Sequence, residues 1–343
     1  MKCSFEEYPL FFKRPFGVSQ NMRSSTDCLI VTLEFENIRG HGEATLPPYL
    51  DENLPQTISF IEKFKKLHFK SLPSIEEFNA ILQSIEENCF SAKAALDIAF
   101  HDLIGKIQQK SISDIYQIQS QLKQSSYTIG LDSPETMIEK IHEAYGLGFN
   151  FLKIKMGTNN DIQLFQTISK YIQTGFSIDA NQGWKDTYMA FELCAMFSEC
   201  GASYLEQPFD KNNLIETEWL SSRSPLPIIA DESCKSLVDF EKIQGCFHGI
   251  NIKLMKCGGI WRAMELFKLA QKNKLKTVAG CMAESSCGIS AMSHLSSLAD
   301  WVDLDAPFLI ANDPFEKLNF QDGTVVPSQN PGIGVQKLSE SNI

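Results

Sequence analysis

The sequence predicts an α/β fold in which a parallel barrel follows a smaller α+β domain, and three observations carry that expectation. From residue 127 onward, short β-like runs alternate with helical stretches at a period of about 25 residues, as βα units do. The runs are eight in number, the count that closes a parallel barrel. The residues before them lack that period and mix an antiparallel strand pattern with a helical one.

A chain of 343 residues that is 43% hydrophobic and 21% charged can bury the core of a barrel and of a second domain. Its formal charge of -11 argues against nucleic acid as a partner, since phosphate binding needs a surplus of Lys and Arg, and it disfavours anionic membranes likewise. No apolar run approaches the roughly 18 residues of a membrane helix. Glu6 and Glu7 fall where a secretory signal needs an apolar stretch, so a cytoplasmic location is expected. The ten cysteines are irregularly spaced and mostly set among apolar residues such as Leu193, Ala195 and Phe247, which points to free buried thiols.

Along the chain, residues 29–36 alternate like an antiparallel strand, and residues 91–104 read as a helix with Ala92, Ala95, Leu96 and Ala99 on one face. The proline-bearing stretches 14–25 and 46–55 read as loops and are candidates for a lid. The eight runs are 127–130, 151–155, 176–179, 203–206, 228–231, 250–253, 277–280 and 301–305. Apolar residues recur at three and four in 137–145, 188–200 and 261–273, as helices between strands require. Beyond the eighth run only turn signals follow, at Asp322 and Gly323 and again from Asn330 to Gly332. The expected division is a capping domain over 1–123, a barrel over 124–311 and a segment over 312–343 that packs back on the cap.

Charged residues end strand after strand, and in a parallel barrel those ends open onto one face. Alternation puts Lys153 and Lys155 on one side of their strand and Ile154 on the other; Ile252 and Leu254 likewise face outward, leaving Lys253 pointing in. An inward lysine is costly unless an anion meets it. Asp179, Glu206 and Asp231 end the third, fourth and fifth runs, and three carboxylates gathered without His or Cys suit magnesium. A lone Lys-x-Lys is usually an exposed edge, and a lone acid after a strand is often a helix cap. Ionisable groups at the same place in successive βα units are a different matter, and they predict an active site. A metal on a substrate carboxylate stabilises the enediolate formed when the neighbouring carbon loses its proton. A lysine with the ordinary value of about 10.4 is a poor base at neutral pH. Burial, a metal and a second ammonium lower it, and Lys153 is such a neighbour for Lys155.

The segments 152–157, 179–184, 206–208, 230–233 and 251–259 resemble the enolase superfamily, and within it the muconate-lactonizing subgroup, over nearly the whole chain. That resemblance implies a capped (β/α)7β barrel, a modified TIM barrel with an N-terminal α+β capping domain. It implies Lys155 and Lys253 as acid/base groups on opposite faces of the substrate carbon, Lys153 as the holder of the substrate carboxylate, and Asp179, Glu206 and Asp231 as ligands of Mg2+.

Asp303 and Asp305 put two carboxylates on one face of the eighth run, an arrangement a cationic substrate group would satisfy. The pair resembles the feature by which dipeptide epimerases hold the α-ammonium group, so the expected activity is epimerisation at the C-terminal residue of a dipeptide. Arg23 aligns with a lid-loop arginine that lies near the acidic side chain in relatives acting on Ala-Glu, which implies glutamate as that residue. Thr128 and the segment from Gly280 through Cys281 to Met282 match positions that line the substrate. Residues 283–287 are more polar than the resemblance leads one to expect. An o-succinylbenzoate synthase, an N-acylamino acid racemase or a cycloisomerase would use the same lysines, and a non-catalytic metal-binding scaffold is the alternative from another class. A small dipeptide is the expected partner, and a homo-oligomer is compatible with the sequence.

Overall fold

The computed structural model describes residues 1–18, 21–48, 50–69, 71–86 and 88–339. Its N-terminal part is an antiparallel sheet of β1 (Lys2–Glu7), β2 (Leu10–Val18), β3 (Asn21–Phe35) and β4 (Ile38–Leu46), backed by helices α1 (Leu54–Lys65), α2 (Ile75–Ile85) and α3 (Phe90–Gln108). Helices α1 and α2 begin where their sequences say they should: Asn53 with Gln56, and Ser74 with Glu77, each form a reciprocal capping box. Helix α3 packs directly under β4. A Cβ added to Gly42 would lie 2.0 Å from the carbonyl oxygen of Ala95, so only glycine lets strand and helix meet backbone to backbone. Phe78 of α2 stacks on Phe100 of α3 with ring centroids 3.9 Å apart, an aromatic contact that adds about 0.5–1.5 kcal/mol beyond the area it buries.

Strand β3 is the axis of this sheet. Its later residues pair with β1 on one side and β4 on the other, while its first residues pair with β2, Phe16 standing opposite Arg23. The stretch 14–25, expected as a loop, is therefore a β-hairpin across its described residues. Pro15 concealed it: the register of β2 against β3 shifts between Phe11 and Phe16, and proline is tolerated in an edge strand at such an irregularity. Ser19 and Gln20 of that stretch, and Tyr49 of the stretch 46–55, lie outside the described residues.

The barrel strands follow as β5 (Tyr127–Ile129), β6 (Phe151–Lys155), β7 (Gly175–Asp179), β8 (Ala202–Glu206), β9 (Ile228–Ala230), β10 (Gly249–Ile252), β11 (Lys276–Gly280) and β12 (Trp301–Asp303), paired in sequence order. A parallel bridge between Ser125 and Val302 brings the last strand round to the residues just before the first. Each predicted run coincides with a strand, and the helices Pro134–Gly146, Thr187–Glu199 and Ile260–Lys272 stand where the apolar periodicity placed helices. After β12 come a short helix, Ala306–Leu309, and a small hairpin of β13 (Phe320–Gln321) and β14 (Thr324–Val325), turned by Asp322 and Gly323 with φ of 46° and 73°. The chain then runs back along the first domain, where Ile112 donates to the carbonyl of Gly332 and Ile333 donates to Asp102. It also touches the barrel through Ser290, which donates to the carbonyl of Ile333. Residues 340–343 lie outside the described residues.

All ten cysteines are free and most are buried. Among the described residues no helix is long and apolar enough to cross a membrane.

Candidate active site

The strand register sets the site. Lys155 of β6 is level with Asp179 of β7, and Asp179 with Glu206 of β8, so three ionisable groups reach the barrel mouth at the same height. Lys155 lies 2.7 Å from Oδ2 of Asp179. Lys153, one layer deeper and 1% exposed, meets three acids: Asp179 at 3.0 Å, Glu206 at 3.0 Å and Asp303 at 2.9 Å. Across the mouth Lys253 lies 2.7 Å from Oδ2 of Asp231. A cavity of about 60 Å³ is lined by Lys153, Lys155, Asp231, Lys253, Asp303, Asp305, Thr128, Cys281 and Arg23. Asp179 and Glu206 lie beneath it, bonded to those lysines, so every predicted residue is in one place.

The eighth-strand aspartates divide. Asp303 finds its cation inside the protein, in Lys153, and also accepts from Ser126 Oγ at 2.6 Å. Asp303 thus has a cation partner that the sequence reading did not anticipate, while still lining the cavity. Asp305 directly precedes the helix Ala306–Leu309 without capping it, and instead accepts from the backbone N–H of Thr128 at 2.6 Å.

Burial opposes charge on Lys153, but Asp303, Glu206 and Asp179 more than offset it and hold the ammonium well above its ordinary value. Asp179 is kept low in spite of burial by Lys155 and Lys153, and Asp231 by Lys253 and Lys256. Burial pushes Glu206 up to about 8 against the pull of Lys153. Burial and the neighbouring Asp231 push Glu232 up to about 7. Asp305 is raised to about 7 by burial and by Asp303.

Among the described residues no three His, Cys, Asp or Glu side chains surround one point as a metal shell, because Asp179 and Asp231 turn oxygens onto lysines. The donor set nevertheless fits an ion. Oε2 of Glu206, Oε2 of Glu232 and Oδ1 of Asn251 are buried without a hydrogen-bond partner, and leaving carboxylate oxygens so is costly unless a cation joins them. Oxygen donors alone suit a hard divalent ion.

Four residues of the site were missed by the sequence reading. Asn251 donates to Glu206 Oε1 at 3.0 Å, and a Cβ at Gly280 would lie 2.2 Å from its Oδ1, so glycine leaves it room. Ser126 holds Asp303, Glu232 flanks Asp231, and Lys256 donates to Asp231 Oδ1 at 2.5 Å. Asn251 and Ser126 lie two residues before Lys253 and Thr128, so strand alternation could have found them. The polar segment 283–287 finds partners in the cap, in its own loop and, through Ser286, in Asp313. Ser285 donates its N–H to Glu43 of β4 at 3.0 Å, and Glu284 accepts from the N–H of Met282 at 2.7 Å.

Two family models match this chain, one described as the mandelate racemase / muconate lactonizing enzyme N-terminal domain over residues 7–116 and one as enolase C-terminal domain-like over residues 136–340. The L-Ala-D/L-Glu epimerase of Bacteroides thetaiotaomicron is 38% identical, covering 98% of this chain and 88% of its own. The L-Ala-D/L-amino acid epimerase of Flavobacterium johnsoniae is 34% identical over 98% of this chain and 100% of its own. Among solved structures, a substrate-liganded L-Ala-D/L-Glu epimerase from Bacillus subtilis superposes with a TM-score of 0.92 at 26% identity, covering 98% and 99% of the two chains. A dipeptide epimerase from Enterococcus faecalis, complexed with Mg and L-Leu-L-Tyr, superposes with a TM-score of 0.92 at 29% identity over 97% and 98%. With both halves matched and the lysines and carboxylates in place, the chain belongs to the enolase superfamily, in its mandelate racemase and muconate-lactonizing branch.

Proposed function

We propose that this protein is a magnesium-dependent dipeptide epimerase that inverts the α-carbon of the C-terminal residue, with L-Ala-L-Glu and L-Ala-D-Glu as its substrate pair. One observation carries the reading. Lys155 ends the second barrel strand and Lys253 follows the sixth, and in a ring of eight those places face each other. Inversion needs that arrangement, because one group removes the proton from one side of a carbon and another supplies it from the opposite side. The relatives named above are epimerases, and three of the four carry L-Ala in their names.

Asp179, Glu206 and Asp231 would hold Mg2+, which when bound supplies positive charge against the enediolate oxygens. The chain's own groups do the rest. Lys155 takes the α-proton of one epimer while Lys253 returns a proton to the other face, and the roles exchange in reverse. Lys153, anchored by Asp303 and Glu206, faces the substrate carboxylate. Asp305 receives the α-ammonium beside Thr128. Arg23, its guanidinium 5.6 Å from the ring centroid of Phe12, meets the glutamate side chain.

A cytoplasmic location belongs to this proposal, supported by the ten free thiols. So does the division into a cap over 1–123, a barrel over 124–311 and a segment over 312–343 that returns to the cap, supported by the contacts of Gly332 and Ile333 with Ile112 and Asp102. The test is incubation of L-Ala-L-Glu and, separately, of N-acylated amino acids with enzyme and Mg2+ in heavy water. L-Ala-D-Glu carrying one deuterium at the glutamate α-carbon is expected. Label appearing only in N-acylated amino acids would reject the reading.

A further inference from the structure

Lys256 lies three residues beyond Lys253 in the short helix Leu254–Cys257 and is 3% exposed. Its ammonium is surrounded by oxygen: Asp231 Oδ1 at 2.5 Å, the main-chain oxygens of Asp231 at 2.7 Å and Asn251 at 2.8 Å, and that of Cys234 at 3.4 Å. An ammonium has three protons to donate, so the first three contacts are full hydrogen bonds and the fourth is a loose one. The other oxygen of Asp231, Oδ2, faces Lys253 at 2.7 Å. The two oxygens of this carboxylate are thus unequal. One is committed to a buried cation that also ties together the ends of neighbouring barrel units, and the other points into the cavity.

We propose that Lys256 sets the ion preference of the site, by retaining Oδ1 so that Asp231 can offer an ion only Oδ2. The inference rests on the reading of Asp231 as a magnesium ligand. Mg2+ demands a compact octahedron, whereas Ca2+ accepts six to eight oxygens and readily takes both oxygens of one carboxylate. An ion that claimed Oδ1 would strip Lys256 of its only anionic partner among these contacts, and an uncompensated buried charge is strongly destabilising. Asp231 therefore stays a one-oxygen ligand, which favours magnesium. Lysine suits the task because its charge is compact enough to sit among main-chain carbonyls, where a guanidinium fork would not.

The test is calorimetric titration of metal-stripped wild type, Lys256→Met and Lys256→Gln with Mg2+ and with Ca2+ separately, after circular dichroism in chelator has checked folding. Outer groups that orient a metal ligand typically change affinity 10- to 100-fold. Magnesium affinity should therefore fall about tenfold or more in the variants, while calcium affinity falls far less, so that the preference for magnesium narrows by about the same factor. Equal losses for both ions, or no loss for either, overturn the inference. So does failure of both variants to fold, since a lysine the fold cannot do without is not a device for choosing ions. Wild type that binds neither ion would refute the metal-site reading itself, which separates that failure from failure of the role given to Lys256.

Discussion

Lys153 of the second barrel strand reaches past the first strand to Asp303 of the eighth, at 2.9 Å, linking the two sides of the barrel's closing seam through a buried ion pair. This pair is structural as well as chemical, and it sets Asp303 apart from Asp305.

Asp303→Asn should therefore lower stability as well as activity. Lys153 keeps Asp179 and Glu206 as partners, so the loss should be that of one charge-assisted hydrogen bond, about 1.5–3 kcal/mol. Urea unfolding would read it directly. Asp305→Asn, whose carboxylate is held by the N–H and side chain of Thr128 rather than by a lysine, should be folded nearly as well as wild type while losing roughly one to two powers of ten in kcat/KM. Equal stability of the Asp303→Asn variant and wild type would contradict the pairing.

The pH dependence of binding follows from Asp305. Burial and the adjacent Asp303 raise its carboxyl from 3.8 to about 7, so it is largely neutral below that pH and charged above it. The KM of a free dipeptide should fall as pH rises through about 7, while that of an N-acetylated dipeptide should not follow. Stability runs the other way: a raised carboxyl contributes fully below 3.8 and loses that contribution as pH rises through the folded value. A flat KM profile for the free dipeptide across this range would remove Asp305 as the ammonium's partner.

Replacing Lys155 or Lys253 by Ala should abolish epimerisation if, as proposed, each serves one face of the carbon. Single variants should still exchange the α-proton of one epimer with solvent, and the two variants should choose opposite epimers. Mass spectrometry of each pure epimer in heavy water distinguishes this from a one-base mechanism, in which one variant would be unaffected.

Chelation should stop turnover, and added Mg2+ should restore it. The buried, unpartnered oxygens of Glu206 and Glu232 make a second outcome measurable without substrate: Mg2+ should raise the melting temperature of the metal-free protein, by mass action on the folded state. Glu206→Gln should lose most of that rise.

The barrel and its charged mouth were legible because strand alternation and βα periodicity act locally, so the positions of Lys153, Lys155, Lys253 and the three carboxylates could be read one segment at a time. What stayed hidden depended on distant partners. Lys256 sits in a short helix after its strand, and its reach to Asp231 depends on the preceding βα unit lying beside that helix. The destination of Asp303 depended on closure of the ring, which brings the eighth strand near the second. Ser285 looks out of place after a barrel strand until Glu43 of the cap is placed beside it. The hairpin of β2 and β3 was masked by Pro15, whose effect depends on a register irregularity no single strand reveals.

Strand β3 spans fifteen residues, with Leu29, Val31 and Leu33 buried in the core of the cap and Arg23 at the rim of the substrate cavity. A continuous strand of this kind makes the roof of the pocket an extension of another domain's interior. Grafting a relative's cap onto this barrel would carry that roof with it, so substrate preference should be inherited from the cap's donor while the proton-transfer chemistry is inherited from the barrel's.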